Sequence, residues 1–160
     1  MNDNSKITDK ATFKTGKQFK DQLPYESNVI IELRGPDGQL KDRREIHNTV
    51  TTAGKNGAAD QVIASPTLGK PTHMAIGTGS PSGTALGTEL DRNAFTSKTR
   101  ATNVVTMVGD WAAGDGTGAI TEAGTFDASS SGNMWMSASF SVINKGAADT
   151  LSISWTLTFS

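Results

Sequence analysis

Cysteine is absent from this 160-residue chain. That excludes disulfides, a thiolate nucleophile and any Cys-based zinc site. Aromatic side chains are scarce at 6%, with a single tyrosine. A sugar-cleaving site would set aromatic platforms beside its carboxylates, and a nucleic-acid surface would interleave aromatics with dense basic runs; the sequence offers neither. Long apolar runs are missing too, since nothing approaches the roughly 20 residues that span a bilayer as a helix. The first ten residues are polar and lack the apolar segment of a secretory signal. The expectation is a protein made in a host cytoplasm, with neither membrane nor nucleic acid as partner.

Basic charge of the second part is also sparse. After Arg100 the only Lys or Arg is Lys145, set against Asp110, Asp115, Glu122, Asp127 and Asp149. The overall charge of −1 hides this asymmetry. Such a map suits docking one end of the molecule onto a partner.

What the chain does have is alternation. Leu151, Ile153, Trp155, Leu157 and Phe159 alternate with Ser152, Ser154, Thr156 and Thr158. A period of two puts the apolar set on one face of a sheet and the hydroxyls on the other. Burying those five side chains contributes roughly 1.5–3 kcal/mol each. Met134, Met136, Ala138, Phe140 and Val142 repeat the pattern. Further strands are expected over 28–34, 39–48, 72–76, 90–96, 101–111 and 119–126. Lys41, Arg43 and Arg44 mark 39–48 as a charged edge strand, which discourages unwanted pairing. Gly35-Pro36-Asp37-Gly38 is a turn, with the corner pre-set by proline. Many short strands joined by Gly-rich loops predict an all-β fold, a jelly-roll-like antiparallel β-sandwich.

One helix is expected, near 51–64. Thr51 or Thr52 caps it, Ala53, Ala58, Ala59, Val62, Ile63 and Ala64 line a face, and Ser65-Pro66 ends it. Gly54 and Gly57 weaken it. The body therefore spans 28–160, preceded by an extended, Lys-rich N-terminal arm over 1–27. Lys6, Phe13, Lys17, Phe19 and Tyr25 are the arm's candidate partner contacts. A polar arm with little core of its own is most easily ordered by lying on another chain.

Candidate chemistry is thin. Gly77-Thr78-Gly79 and Gly114–Gly118 are Gly-rich but lack the P-loop lysine and the dinucleotide spacing, so they read as turns. His47 and His73 are the only histidines. They could serve a Ser/His/Asp triad, yet no nucleophile elbow accompanies them. A hydrolase or carbohydrate-binding reading rests on those two imidazoles alone. Asp110, Asp115 and Asp127 could hold calcium, but no calcium-loop motif is present. Glu122 lies within an apolar strand and would need a partner if buried; Arg92 and Arg100 are the available cations. A structural ion pair between Glu122 and Arg92 is the expectation. No catalytic, cofactor or metal residue is assigned.

Four motifs then follow in order: Ala75–Gly79, Ala85–Arg92, Ile120–Asp127 and Asp149–Phe159. The series, over roughly 48–160, resembles small virion proteins of tailed bacteriophages. The resemblance implies β-sandwich modules used in capsid decoration (cement) or in tail fibres and baseplates. It implies no catalytic residues: glycines make turns, Glu and Arg make a buried pair, and the last strand builds the core. Thr125 departs from the larger apolar residue usual there. The implied role is a non-enzymatic cement protein on the exterior of the head, bridging major capsid protein subunits, clustered as a homotrimer. A tail-fibre or baseplate component is the alternative. An arm of about 27 residues reaches up to roughly 90 Å when extended, and linked contacts add avidity.

Overall fold

A computed structural model describes residues 25–159 of the chain. Its elements are β1 (Tyr25–Arg34), β2 (Leu40–His47), β3 (Thr49–Val50), α1 (Thr52–Asp60), β4 (His73–Gly77), β5 (Glu89–Ala94), β6 (Ser97–Ala101), β7 (Val104–Trp111), β8 (Gly118–Phe126), β9 (Met134–Lys145) and β10 (Thr150–Phe159). The strands form two five-stranded sheets, ordered β2-β1-β10-β7-β6 and β3-β9-β8-β4-β5. Every neighbouring pair is antiparallel. The expected all-β sandwich with one short helix is therefore what these residues form. Its likeness to a jelly roll lies in the two sheets and in the pairing of the first and last described strands; its ten strands exceed the eight of that fold.

The core is the space between the sheets. Val29, Ile31, Leu33, Met107, Trp111, Leu151, Ile153 and Trp155 enter it from the first sheet, and Met74, Ile76, Ile120, Ala123, Met136, Ala138 and Ile143 from the second. β10 delivers its side chains as the alternation predicts, but only as far as Trp155. Leu157 is half-buried and Phe159 is exposed. The fully buried core stops at the row Val29–Trp155–Met107, and the next row, Ser27–Leu157–Val105, is only half covered.

Two boundaries move. β1 begins at Tyr25, inside the segment expected to be arm, because Tyr25, Glu26 and Ser27 continue the ladder against Phe159, Thr158 and Leu157. Ser27 Oγ also donates to the Thr156 carbonyl (2.9 Å) and accepts from Trp155 Nε1 (3.2 Å). The helix ends at Asp60, not at 64. Asp60 turns its carboxylate onto the Thr67 and Leu68 amides, both at 2.8 Å, and so captures the chain into a loop. Val62 and Ile63 point outward on that loop, 85% and 55% exposed, instead of lining a helix face.

The docking face of α1 is also the reverse of the expected one. Its buried residues are Gly54 and Gly57, not its alanines. A Cβ at Gly54 would collide with the Trp135 carbonyl, and one at Gly57 with the Trp135 ring. The glycines that weaken the helix are what let it lie against β9. Thr51 caps it, accepting from Gly54 N (3.0 Å) while its hydroxyl reaches the Met134 carbonyl.

Two strands escape the sequence pattern. β6 is Ser-Lys-Thr-Arg-Ala, exposed throughout at the edge of the first sheet, with no apolar alternation to announce it. β3 is two residues long, at the edge of the second.

Among the described residues the fold buries three charged side chains: Glu122, Lys145 and Asp149. Lys145 is 2% exposed and donates to the Ala112 carbonyl at 2.9 Å. Burial lowers its pKa, against the pull of Asp115, Asp149 and Asp91. Asp149 locks the β9–β10 turn, accepting from Lys41 Nζ (2.7 Å) and Gly146 N (2.9 Å). The Lys41 bond, then the amide, hold its pKa below the ordinary aspartate value. Its stabilising contribution is complete above the unfolded value of about 3.9 and is lost as pH falls through the lower folded value. In acid-unfolding curves, Asp149→Asn is expected to flatten the loss of stability below about pH 4; an unchanged slope would remove Asp149 from acid sensitivity.

Thr125 is 0% exposed, and its hydroxyl has no hydrogen-bond partner among the described residues. It faces the core opposite Met136 and Met74. Thr125→Val keeps the shape and removes the orphan hydroxyl, so a gain of about 1 kcal/mol is expected, read as a Tm higher by roughly 2–4 °C. A lower Tm would mean that the hydroxyl is satisfied in solution.

Candidate functional site

The outer face of the second sheet is where three of the four sequence motifs meet, the fourth being β10 of the first sheet. β8 carries a register break against β9 between Ile120 and Glu122. Ile120 and Ala123 both point into the core, three residues apart, while Glu122 pairs with Ser139 on the outer face. A bulge of this kind re-aims a side chain. Here it sends the Glu122 carboxylate out of the sandwich and under the loop 78–88.

Glu122 is 0% exposed. Its Oε1 accepts from Gly79 N (3.0 Å) and Thr88 N (2.8 Å), and its Oε2 accepts from Gly87 N (2.8 Å). Beside it, Thr121 Oγ1 donates to the Gly79 carbonyl at 2.7 Å. Thr78 N donates to the Thr88 carbonyl at 2.9 Å and closes the loop's neck. Leu86 then covers Ala75, Phe126 and Met134, a small second core outside the sheet. The glycines serve close approach. A Cβ at Gly77 would strike the Glu122 carboxylate and one at Gly87 the Ser80 backbone, and neither residue has a positive φ. Both read as turn glycines in the sequence; the space around the carboxylate is the reason for Gly77, and the close approach of the loop's own backbone at Ser80 is the reason for Gly87.

The expected Glu122–Arg92 pair does not form. Arg92 pairs with Glu89, its Nε 2.9 Å from Oε1, and its guanidinium carbon lies 3.6 Å from the centre of the Phe126 ring. Its Nη1 donates to the Ala128 (3.0 Å) and Ser131 (2.8 Å) carbonyls, pinning the β8–β9 loop. Arg100 donates to the Thr102 carbonyl. Glu122 is neutralised by amide dipoles instead of a cation, which no residue-pair reasoning would find.

The loop's tip forms one wall of a cleft of about 640 Å³. Pro81, Ser82 and Gly83 make that wall; Thr51, Thr52 and Lys55 at the start of α1 make the other. The floor is Thr49, Val50, Ser137, Ala138 and Ser139, with His47 at one end. Both walls are anchored on β8–β9, one through Glu122 and one through Gly54 and Gly57 on Trp135. The volume lies within the range of ligand-binding clefts.

The other sequence candidates scatter. His47 lines the cleft, whereas His73 begins β4 and bonds to Thr72 Oγ1 at 2.8 Å, outside the cleft lining. The two imidazoles do not converge. Asp127 is occupied by Asn133, whose backbone N and Nδ2 donate at 2.7 and 2.8 Å. Among the described residues no three His, Asp or Glu side chains gather as metal ligands. Lys6, Phe13, Lys17 and Phe19 lie outside the described residues. Tyr25 is the first residue of β1, 38% exposed, paired with the equally exposed Phe159.

Replacing Glu122 by Gln would point an NH₂ at amides that need acceptors. The three amide bonds to the enclosed side chain are part-buried, and disrupting them is expected to cost about 1–3 kcal/mol. Hydrogen exchange at Gly79, Gly87 and Thr88 should accelerate more than in the β1–β10 ladder. Unaltered exchange at those three amides would refute the clamp.

No family model, no curated protein and no solved structure matches this chain.

Proposed function

We propose that the protein is a non-enzymatic structural component of a tailed-bacteriophage virion, most simply a cement protein that bridges major capsid protein subunits on the head exterior, clustered as a homotrimer. The observation that carries this reading is where the polar segment 1–24 joins the body. It enters at Tyr25, on a strand paired over its length with β10 and again with β2. Tyr25 and Phe159 stand exposed together at that root. A body fixed at one site and a segment reaching a second would add linked contacts without one large interface. The order of the Gly-rich and Glu-bearing motifs supports the same reading, because those residues are spent on holding a loop rigid. Exposed Val62, Ile63 and Leu68 add apolar surface for association with a second copy.

Deleting residues 1–24, and no further into β1, should leave a folded body that binds empty shells much more weakly than the whole chain. Equal binding would end the arm's role. Gold-labelled protein in electron micrographs of particles should decorate the icosahedral head; label confined to the tail would favour the fibre or baseplate alternative.

A further inference from the structure

The cleft between α1 and the loop 78–88 contributes to none of the motifs above, yet both of its walls are anchored on β8–β9. We propose that it seats a carboxylate-bearing, extended segment of a partner protein. This deepens the structural reading of the preceding section and rests on it for the partner being a protein.

Charge is the first reason. Among the described residues no acidic side chain lines the cleft, whereas the cation Lys55 does, with the imidazole of His47 on the same lining. Neither of those two side chains has a hydrogen-bond or ion-pair partner among the described residues. The first turn of α1 carries no acidic residue, so the positive end of the helix dipole is uncompensated there.

The floor supplies a second, separate reason. Ser137 is 7% exposed. It lies opposite Gly124 on one side and Thr49 on the other, on the outer face of the sheet. Its hydroxyl has no partner among the described residues, and it is not among the fully enclosed orphan atoms. Its remaining access is into the cleft. The residue is nine-tenths buried while its hydroxyl keeps access to solvent, so the fold leaves that hydroxyl free to bond a ligand. Thr49 and Ser139 flank it on the same floor.

The occupant's shape follows from the edge. Among the described residues β3, two residues long, is the outermost strand of its sheet and pairs only with β9. An extended backbone can lie along its free side while hydroxyls bond its amides and Lys55 meets a carboxylate. A nucleic acid would need more cations than the single Lys55. A sugar would want an aromatic platform, and among the described residues none lines the cleft.

The test uses the whole chain, labelled with nitrogen-15, titrated by a blocked hexapeptide of alternating glutamate and serine. Two further arms use the glutamine-for-glutamate peptide and inorganic phosphate. Saturable amide shifts are expected at Thr49, Thr52, Lys55, Ser82, Ser137 and Ser139. Lys55→Ala, at an exposed position, and Ser137→Val should each weaken binding about fivefold, and the glutamine peptide should bind about tenfold more weakly. Absence of saturation, shifts scattered over other lysines, or indifference to both substitutions would overturn the proposal. Phosphate binding at the same amides as tightly as the peptide would also overturn it, reducing the cleft to a simple anion site. Since no virion is involved, failure here leaves the location on the particle untouched, and failure to decorate heads leaves the peptide result standing.

Discussion

A carboxylate buried with no cation beside it among the described residues dictates much of the second sheet's exterior. Glu122 is fully enclosed, yet Gly79, Gly87 and Thr88 present their N–H groups to it. A buried charge is tolerated only when its lone pairs are filled. Each charge-assisted bond is worth about 1.5–3 kcal/mol, whereas fixing a loop residue costs about 1–2 kcal/mol. The loop is therefore held because several anchors act together: the amides, the neck bond at Thr78 and the burial of Leu86. The loop cannot be repositioned without orphaning the carboxylate, and the carboxylate cannot be withdrawn without orphaning the loop.

That interaction explains which parts of the molecule were legible in the sequence. β10 was readable because its side chains obey a strict period of two as far as the core extends. β6 was not, since Ser-Lys-Thr-Arg-Ala has no apolar face to bury. The Glu122 environment was half readable. A glutamate within Ile120-Thr121-Glu122-Ala123 needs a partner, and an arginine is the natural guess. The actual partners are backbone amides, present at every residue and therefore invisible to residue identity. The only trace they leave is the glycines at 77, 79 and 87, where a side chain would not fit. The cleft floor was hidden for a similar reason: Ser137 and Ser139 look like the ordinary wet face of β9, and only the folding of α1 over Trp135 turns that face into a recess.

The helix carries the same lesson in the opposite direction. Propensity counts Gly54 and Gly57 against it. Packing counts them in its favour, because they let the helix backbone touch Trp135. The local penalty is repaid by contact, and the residue expected to be a breaker becomes the docking surface.

The attachment of residues 1–24 has a mechanical consequence. They join β1, which pairs with β10 from Tyr25 and with β2 from Asn28, so that beyond its first three residues it has hydrogen bonds on both flanks. A tug along that strand would load both ladders in shear, so many bonds must yield together instead of peeling one after another. A tether rooted on the outermost β6 would have a single ladder to resist it. The topology thus gives this molecule the grip of a rivet at the point where tension would enter.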